Sequence, residues 1–111
     1  MAGDIPFTLT NTDGADHYVA ELASGDTDTE VLFIDPTNRD VSIFIRNPNN
    51  DTIQMLASNL PKEEITLADL VQVGCDIKGD YANGLNTAIT AIAFVGPVTA
   101  EVKISVLQRK R

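Results

Sequence analysis

The 111-residue chain has no tryptophan, one cysteine and one histidine, and before Arg39 it has neither a lysine nor an arginine. Each scarcity excludes something. Cys75, being alone, forms no internal disulfide and cannot build a cysteine metal cage, so its ordinary role is that of a small buried apolar residue. Phe7, Phe33, Phe44, Phe94, Tyr18 and Tyr81 are the only rings, so the core has to come from Ile, Val, Leu and Ala. Exposed platforms for stacking sugars or bases are correspondingly few. The opening MAGDIPFTLT has no basic region and no long apolar run, so no secretory signal is expected there. No window reaches the roughly 18 uninterrupted apolar residues of a membrane span. Asn50-Asp51-Thr52 spells a glycosylation acceptor but reads as a turn.

Charge is present in quantity and very unevenly placed. Asp4, Asp13, Asp16, Glu21, Asp26, Asp28, Glu30 and Asp35 give residues 1–38 a charge of minus eight, while residues 39–111 carry eight acids and eight bases and sum to zero. Arg109, Lys110 and Arg111 then close the chain with three positive charges. A nucleic-acid surface needs bases spread over a broad face, so nucleic acid is not an expected partner. The layout suits attraction between neighbouring copies, or docking of the acidic third onto a basic surface. It equally suits a solvated acidic face that keeps the protein soluble.

The patterning is that of strands, in a chain of one-domain length. Ile5, Phe7 and Leu9 alternate with Pro6, Thr8 and Thr10, giving residues 1–10 the look of an extended arm that forms an edge strand. Tyr18, Ala20 and Leu22 share one side of a weaker strand, and Val31 to Ile34 is a short run apolar on both faces. Val41, Ile43 and Ile45 alternate with Ser42, Phe44 and Arg46, and the turn-rich Asn47-Pro48-Asn49-Asn50-Asp51 predicts a hairpin to Ile53–Ala57. Thr66 with Asp69, the Ile65/Leu70 staple positions and Gly74 predict one short helix near 66–73. An all-odd extended pattern from Ile65 to Ile77 is the alternative. Asn83-Gly84 is a tight-turn pair. Finally, TAITAIAFVGPVTAEVKISVLQ predicts a closing hairpin about Gly96-Pro97, whose first strand is apolar on both faces and whose second sets Val98, Ala100, Val102, Ile104 and Val106 against Thr99, Glu101, Lys103 and Ser105. About seven short antiparallel strands and one short helix make a single all-β domain, a small β-sandwich or barrel.

No catalytic constellation stands out. His17 and Asp16 are adjacent on a strand and face opposite sides, so they form no local base and orienter pair. The acid-rich loops about Asn11–Asp16 and Gly25–Asp28 miss the ligand spacing of a calcium loop and read as turn formers. No enzyme activity, cofactor or metal is therefore expected, and binding to other protein is. The doubly apolar runs at 31–34 and 91–95 leave surface for a neighbouring subunit to cover.

The extended arm Ile5–Thr10, the Ala/Val/Thr/Ile strands with few aromatics and the final GPVTAEVKISV strand with its basic tail resemble the small auxiliary proteins of tailed-bacteriophage virions, capsid decoration or cement proteins in particular. That resemblance implies a β-rich homo-oligomer, commonly a trimer. It implies a place in the virion, assembled in the host cytoplasm, on the outer capsid surface, where it clamps neighbouring capsid subunits. The major capsid protein or another virion protein would be its partner. On this view Ile5, Phe7 and Leu9 pair with a neighbour, the acidic third faces a basic partner surface or the Arg109, Lys110 and Arg111 tail of an adjacent copy, and deleting residues 1–10 abolishes particle binding while leaving a folded monomer. A tail, neck or baseplate component is the nearby alternative. A sandwich module for carbohydrate or a surface protein, with Tyr18, Phe44 and Tyr81 as candidate rings, is the more distant one.

Overall fold

A computed structural model describes residues 5–11, 15–34, 39–59, 65–72, 76–84 and 89–110. Ten strands are found among them. β1 (Thr8–Asn11), β2 (Ala15–Leu22), β4 (Arg39–Arg46), β8 (Tyr81–Gly84) and β10 (Val102–Lys110) form sheet I in the order β1-β2-β10-β4-β8. β3 (Leu32–Phe33), β9 (Ala91–Val95), β5 (Thr52–Ser58) and β6 (Val71–Gln72) form sheet II in that order, and β7 (Ile77–Lys78) also pairs β5. Every strand pair is antiparallel. The two sheets pack face to face as a small β-sandwich.

The alternation read from the sequence decides which side of each strand is dry. Ala20 and Leu22 of β2, Ile43 and Ile45 of β4, and Val102, Ile104 and Val106 of β10 point inward from sheet I. They meet Ile53, Met55 and Ala57 of β5 and Ile92 and Phe94 of β9 from sheet II in one apolar core. Leucine-class side chains buried this completely contribute about 1.5–3 kcal/mol each.

Neither expected hairpin forms. β4 and β10 lie in sheet I while their chain neighbours β5 and β9 lie in sheet II, so 47–51 and 96–101 are corners that carry the chain from one sheet to the other. Both corners are fixed by polar contacts. Fully buried Asn47 donates its side-chain amide to the Asp51 carbonyl at 2.7 Å and accepts the Asp51 N–H at 3.1 Å, and its own N–H donates to Asp80 Oδ1 at 2.8 Å. Asp51 in turn ties one corner to the other: Thr99 donates its hydroxyl to Oδ1 at 2.7 Å and its N–H to Oδ2 at 3.0 Å. Residues 96–98 hydrogen-bond the 25–27 loop through Gly96 to Thr27, Val98 N–H to Asp26 O and Gly25 N–H to Val98 O. A run that reads as a hairpin locally is thus split because each half finds longer partners elsewhere: β10 pairs eight positions with β2 and eight with β4.

The expected helix near 66–73 is a single 3-10 turn, Leu67–Asp69. The capping pair does form, with Thr66 donating both its N–H and its hydroxyl to Asp69 Oδ2. It caps one turn only, because Val71 and Gln72 leave to pair with Ala57 and Leu56 of β5. Ile65 and Leu70 then lie over Ala91 and Ala93, on the side of β9 away from the main core. The doubly apolar β9 is therefore covered by its own chain, and it supplies no surface for a second subunit. The 31–34 run differs as well: Leu32 and Ile34 are buried but Phe33 is 42% exposed. Asn83-Gly84 is not a turn and lies within β8.

Residues of the N-terminal arm are built into the domain. Ile5 donates its N–H to Asp28 O and accepts from Glu30 N–H, and the Phe7 N–H donates to Glu30 Oε2 at 2.7 Å. The Phe7 ring is buried against Phe94, with centroids 6.4 Å apart.

Candidate functional site

Because β10 lies centrally in sheet I, its wet face becomes the middle of an open, solvent-facing surface. Cross-strand register sets the rows. Lys103 stands between Glu21 of β2 and Arg46 of β4. Ser105 stands between Val19 and Phe44, with Thr8 of β1 beyond Val19 and Ala82 of β8 beyond Phe44. Leu107 stands between His17 and Ser42, and Arg109 between Ala15 and Asp40. The middle rows are small or apolar, with Phe44 45% exposed and Val19 and Leu107 half-buried. The end rows are charged and of both signs, with Lys103, Arg46 and Arg109 exposed beside exposed Glu21 and Asp40. This face therefore carries a rim of mixed charge, Lys103, Arg46 and Arg109 alternating with Glu21 and Asp40, around an apolar centre.

Three grooves open on it, of about 650, 390 and 440 Å³, and Lys103 lines all three. The first runs beside β1, between Thr8 and Thr10 on one side and His17, Val19 and Glu21 on the other. There the Thr10 hydroxyl donates to the His17 carbonyl at 3.0 Å and lies 3.2 Å from His17 Nδ1. His17 thus lines a groove of small-ligand size in which Thr8, Thr10 and Glu21 stand beside Ile5, Pro6 and Val19.

The residues expected to bind a partner are dispersed. Ile5 is half-buried in a bridge to Thr29, and Phe7 is spent on the core. Leu9 is 45% exposed on the edge strand β1, opposite Tyr18. Arg109 belongs to the rim just described, Lys110 stands opposite Arg39 at the end of β10, and Arg111 lies outside the described residues, as does Cys75. β2 separates the arm from the basic end of β10. Tyr18 and Tyr81 pack against the core, so Phe44 alone of the three candidate rings presents a free face.

The described acids of the first third work largely inside the chain. Asp26 accepts the Ala23 N–H at 2.7 Å, Asp28 accepts the Thr27 hydroxyl at 2.6 Å and Glu30 accepts the Phe7 N–H, all from half-buried positions. Asp26 closes the 23–26 turn and Glu30 fastens the N-terminal arm. No group of three His, Cys, Asp or Glu side chains is placed to share an ion among the described residues. Asp51 is the titratable group with a displaced pKa: the Thr99 hydroxyl first and the Thr99 N–H second hold its carboxyl below the usual carboxylate value, against an opposing effect of burial.

Sequence reasoning marked Lys103, Ser105, Phe44 and Arg46 as wet-face residues but not as neighbours. The pairing of β10 with β4, in which Lys103 faces Arg46 at 57 positions' separation, makes them so, and local spacing carries no sign of it.

No family model matches the sequence, and no curated protein matches it. Solved structures do resemble it in shape. The cupin domain of Schizosaccharomyces pombe Cnp3 superimposes with a TM-score of 0.54 at 12% identity, covering 95% of this chain and 64% of that one. A cupin domain from Bordetella pertussis does so with 0.51 at 9% identity, covering 100% and 98%. The fold is that of the cupins. Oxalate oxidase shares the cupin fold at a TM-score of 0.50 and 11% identity, with 87% of this chain covered and 42% of that one. This corrects the expectation that the chain is no enzyme: a cupin fold hosts catalysis as well as binding, and a missing local motif does not exclude enzymes. At these identities the likeness concerns the fold alone.

Proposed function

We propose that this cupin-fold chain is a structural binding subunit that docks onto another protein through the outer face of sheet I, as a capsid decoration protein does on the virion shell. The exposed Phe44 at the centre of that face, between charged rows that hold Lys103, Arg46 and Glu21 on one side and Arg109 and Asp40 on the other, carries the reading. An exposed ring on an open sheet face within a charged rim is the composition of a protein interface, with aromatic and arginine anchors at its core and margin. It calls for a partner with an apolar patch for Phe44 and charges of both signs around it. The virion assignment adds the sequence resemblance to this geometry, and with it the major capsid protein as partner and a trimer as assembly.

The deciding experiment is co-sedimentation with shells assembled from the major capsid protein of the proposed virion. Wild type should pellet with the shells and less so as salt rises, because exposed charge is screened within about 8 Å at physiological ionic strength. Phe44→Glu should stay in the supernatant with an unchanged melting temperature. Absence of wild type from the pellet, or equal pelleting of the variant, would refute the proposal.

The groove beside β1 favours a second reading, a module for a small polar ligand such as a carbohydrate, since Thr8, Thr10, His17 and Glu21 converge there. A glycan array on which Phe44→Glu binds like wild type and His17→Ala does not would favour it.

A further inference from the structure

The Asn83-Gly84 pair is the one Asn-Gly sequence in the chain, and the fold uses it in an unexpected place. It lies in β8 at the open edge of sheet I, with Asn83 opposite Ile43 and Gly84 opposite Ser42. Both residues are exposed. The Gly84 N–H is turned onto the side chain before it and donates to Asn83 Oδ1 at 2.9 Å. That contact brings the Gly84 nitrogen close to the Asn83 amide carbon, which is one bond from Oδ1, and reaction between groups held in such proximity is favoured over reaction between separate molecules. Glycine puts no side chain in the way.

We propose that Asn83 is a site of spontaneous deamidation. The Gly84 nitrogen loses its proton to water or hydroxide and forms a bond to the Asn83 Cγ. The C–N bond of the side-chain amide then breaks, and ammonia leaves with a proton returned from solvent. The resulting five-membered imide is opened by one water molecule, at either carbonyl, to an aspartyl or isoaspartyl residue. No electrons are transferred and no other reactant is consumed. The aspartyl product sets a carboxylate next to Ala82, the β8 neighbour of Phe44. The isoaspartyl product adds a carbon to the main chain of β8 and displaces it against β4. Either outcome alters the edge of sheet I, but the chemistry proceeds whether or not that face docks a partner.

The test is incubation of the intact protein at mildly alkaline pH, followed by peptide mass mapping and quantitation of isoaspartate. Conversion at Asn83 should precede that at every other asparagine. Gly84→Ala should slow it by at least about tenfold, since an added methyl obstructs the attack. That variant keeps the fold, because the new Cβ would stand 3.8 Å from the nearest neighbour, the Val41 carbonyl oxygen. Asn83→Gln, which would have to close a larger ring, should show no isoaspartate at position 83. An intact Asn83 after other asparagines have converted, or an unslowed Gly84→Ala protein, would overturn the proposal.

Discussion

Whether the N-terminal arm belongs to this domain or to a neighbour can be decided at Phe7. Its ring is 8% exposed, packs at 58° to the ring of Phe94 and closes the margin of the core, while Leu9, two residues on, is 45% exposed. Truncating a buried Phe to Ala costs about 3–5 kcal/mol, the transfer of the ring plus the cavity left behind. Phe7 sits at the edge of the sandwich, where the site can partly collapse, so the lower end applies and Phe7→Ala should lose about 3 kcal/mol. At this chain length about 4 °C accompanies each kcal/mol, so the melting temperature should fall by about 12 °C. Leu9→Ala should stay within about 0.5 kcal/mol of wild type. Thermal and urea melts followed by far-ultraviolet circular dichroism measure both, with the urea slope checking that the unfolded reference is unchanged. A Phe7→Ala protein as stable as Leu9→Ala would refute the docked arm and restore a free one available for exchange. Deleting residues 1–10 should destabilise the monomer at least as much as Phe7→Ala.

Further outcomes follow from the corners and the face. Asp51 has a folded-state pKa below its unfolded value, so the stability it contributes is fully present above about pH 4 and is lost as pH falls through the lowered value. Asp51→Asn should flatten the acid limb of the urea midpoint measured from pH 6 down to 2, and an unchanged limb would remove Asp51 from the acid transition. Gly79 has a φ of 79°, and a Cβ there would stand 2.9 Å from Asn50 Oδ1, so Gly79→Ala should cost about 1–2 kcal/mol in a denaturant titration. Lys103→Glu reverses the cation shared by the three grooves. It should abolish salt-sensitive attachment to capsid shells in the co-sedimentation assay while leaving the melting temperature within about 2 °C. Undiminished attachment would move the docking surface elsewhere.

The inward and outward sides of β2, β4 and β10 were legible in the sequence because period-2 alternation is a local property that any one-sided strand must show. The candidate face was half legible. Its residues were visible as wet positions, yet their assembly was not, since Lys103, Arg46 and Glu21 become neighbours only through pairings of long separation. Local signals misled where they were individually sound. Asn47–Asp51 and Gly96-Pro97 do bend the chain, but a bend says nothing about which sheet the next strand joins. Thr66 and Asp69 do cap a helical turn, but pairing of Val71 and Gln72 with β5 ends it.

By itself the sequence determined an all-β domain with an aliphatic core, and it did so through composition and alternation, which act residue by residue. The tertiary structure decided which strands share a sheet, that Phe7 is core, that Ile65 and Leu70 cover β9, and that rows of mixed charge flank Phe44. Each of these depends on contacts between distant segments, whose selection is made by the summed burial of two whole sheets rather than by any short stretch of chain.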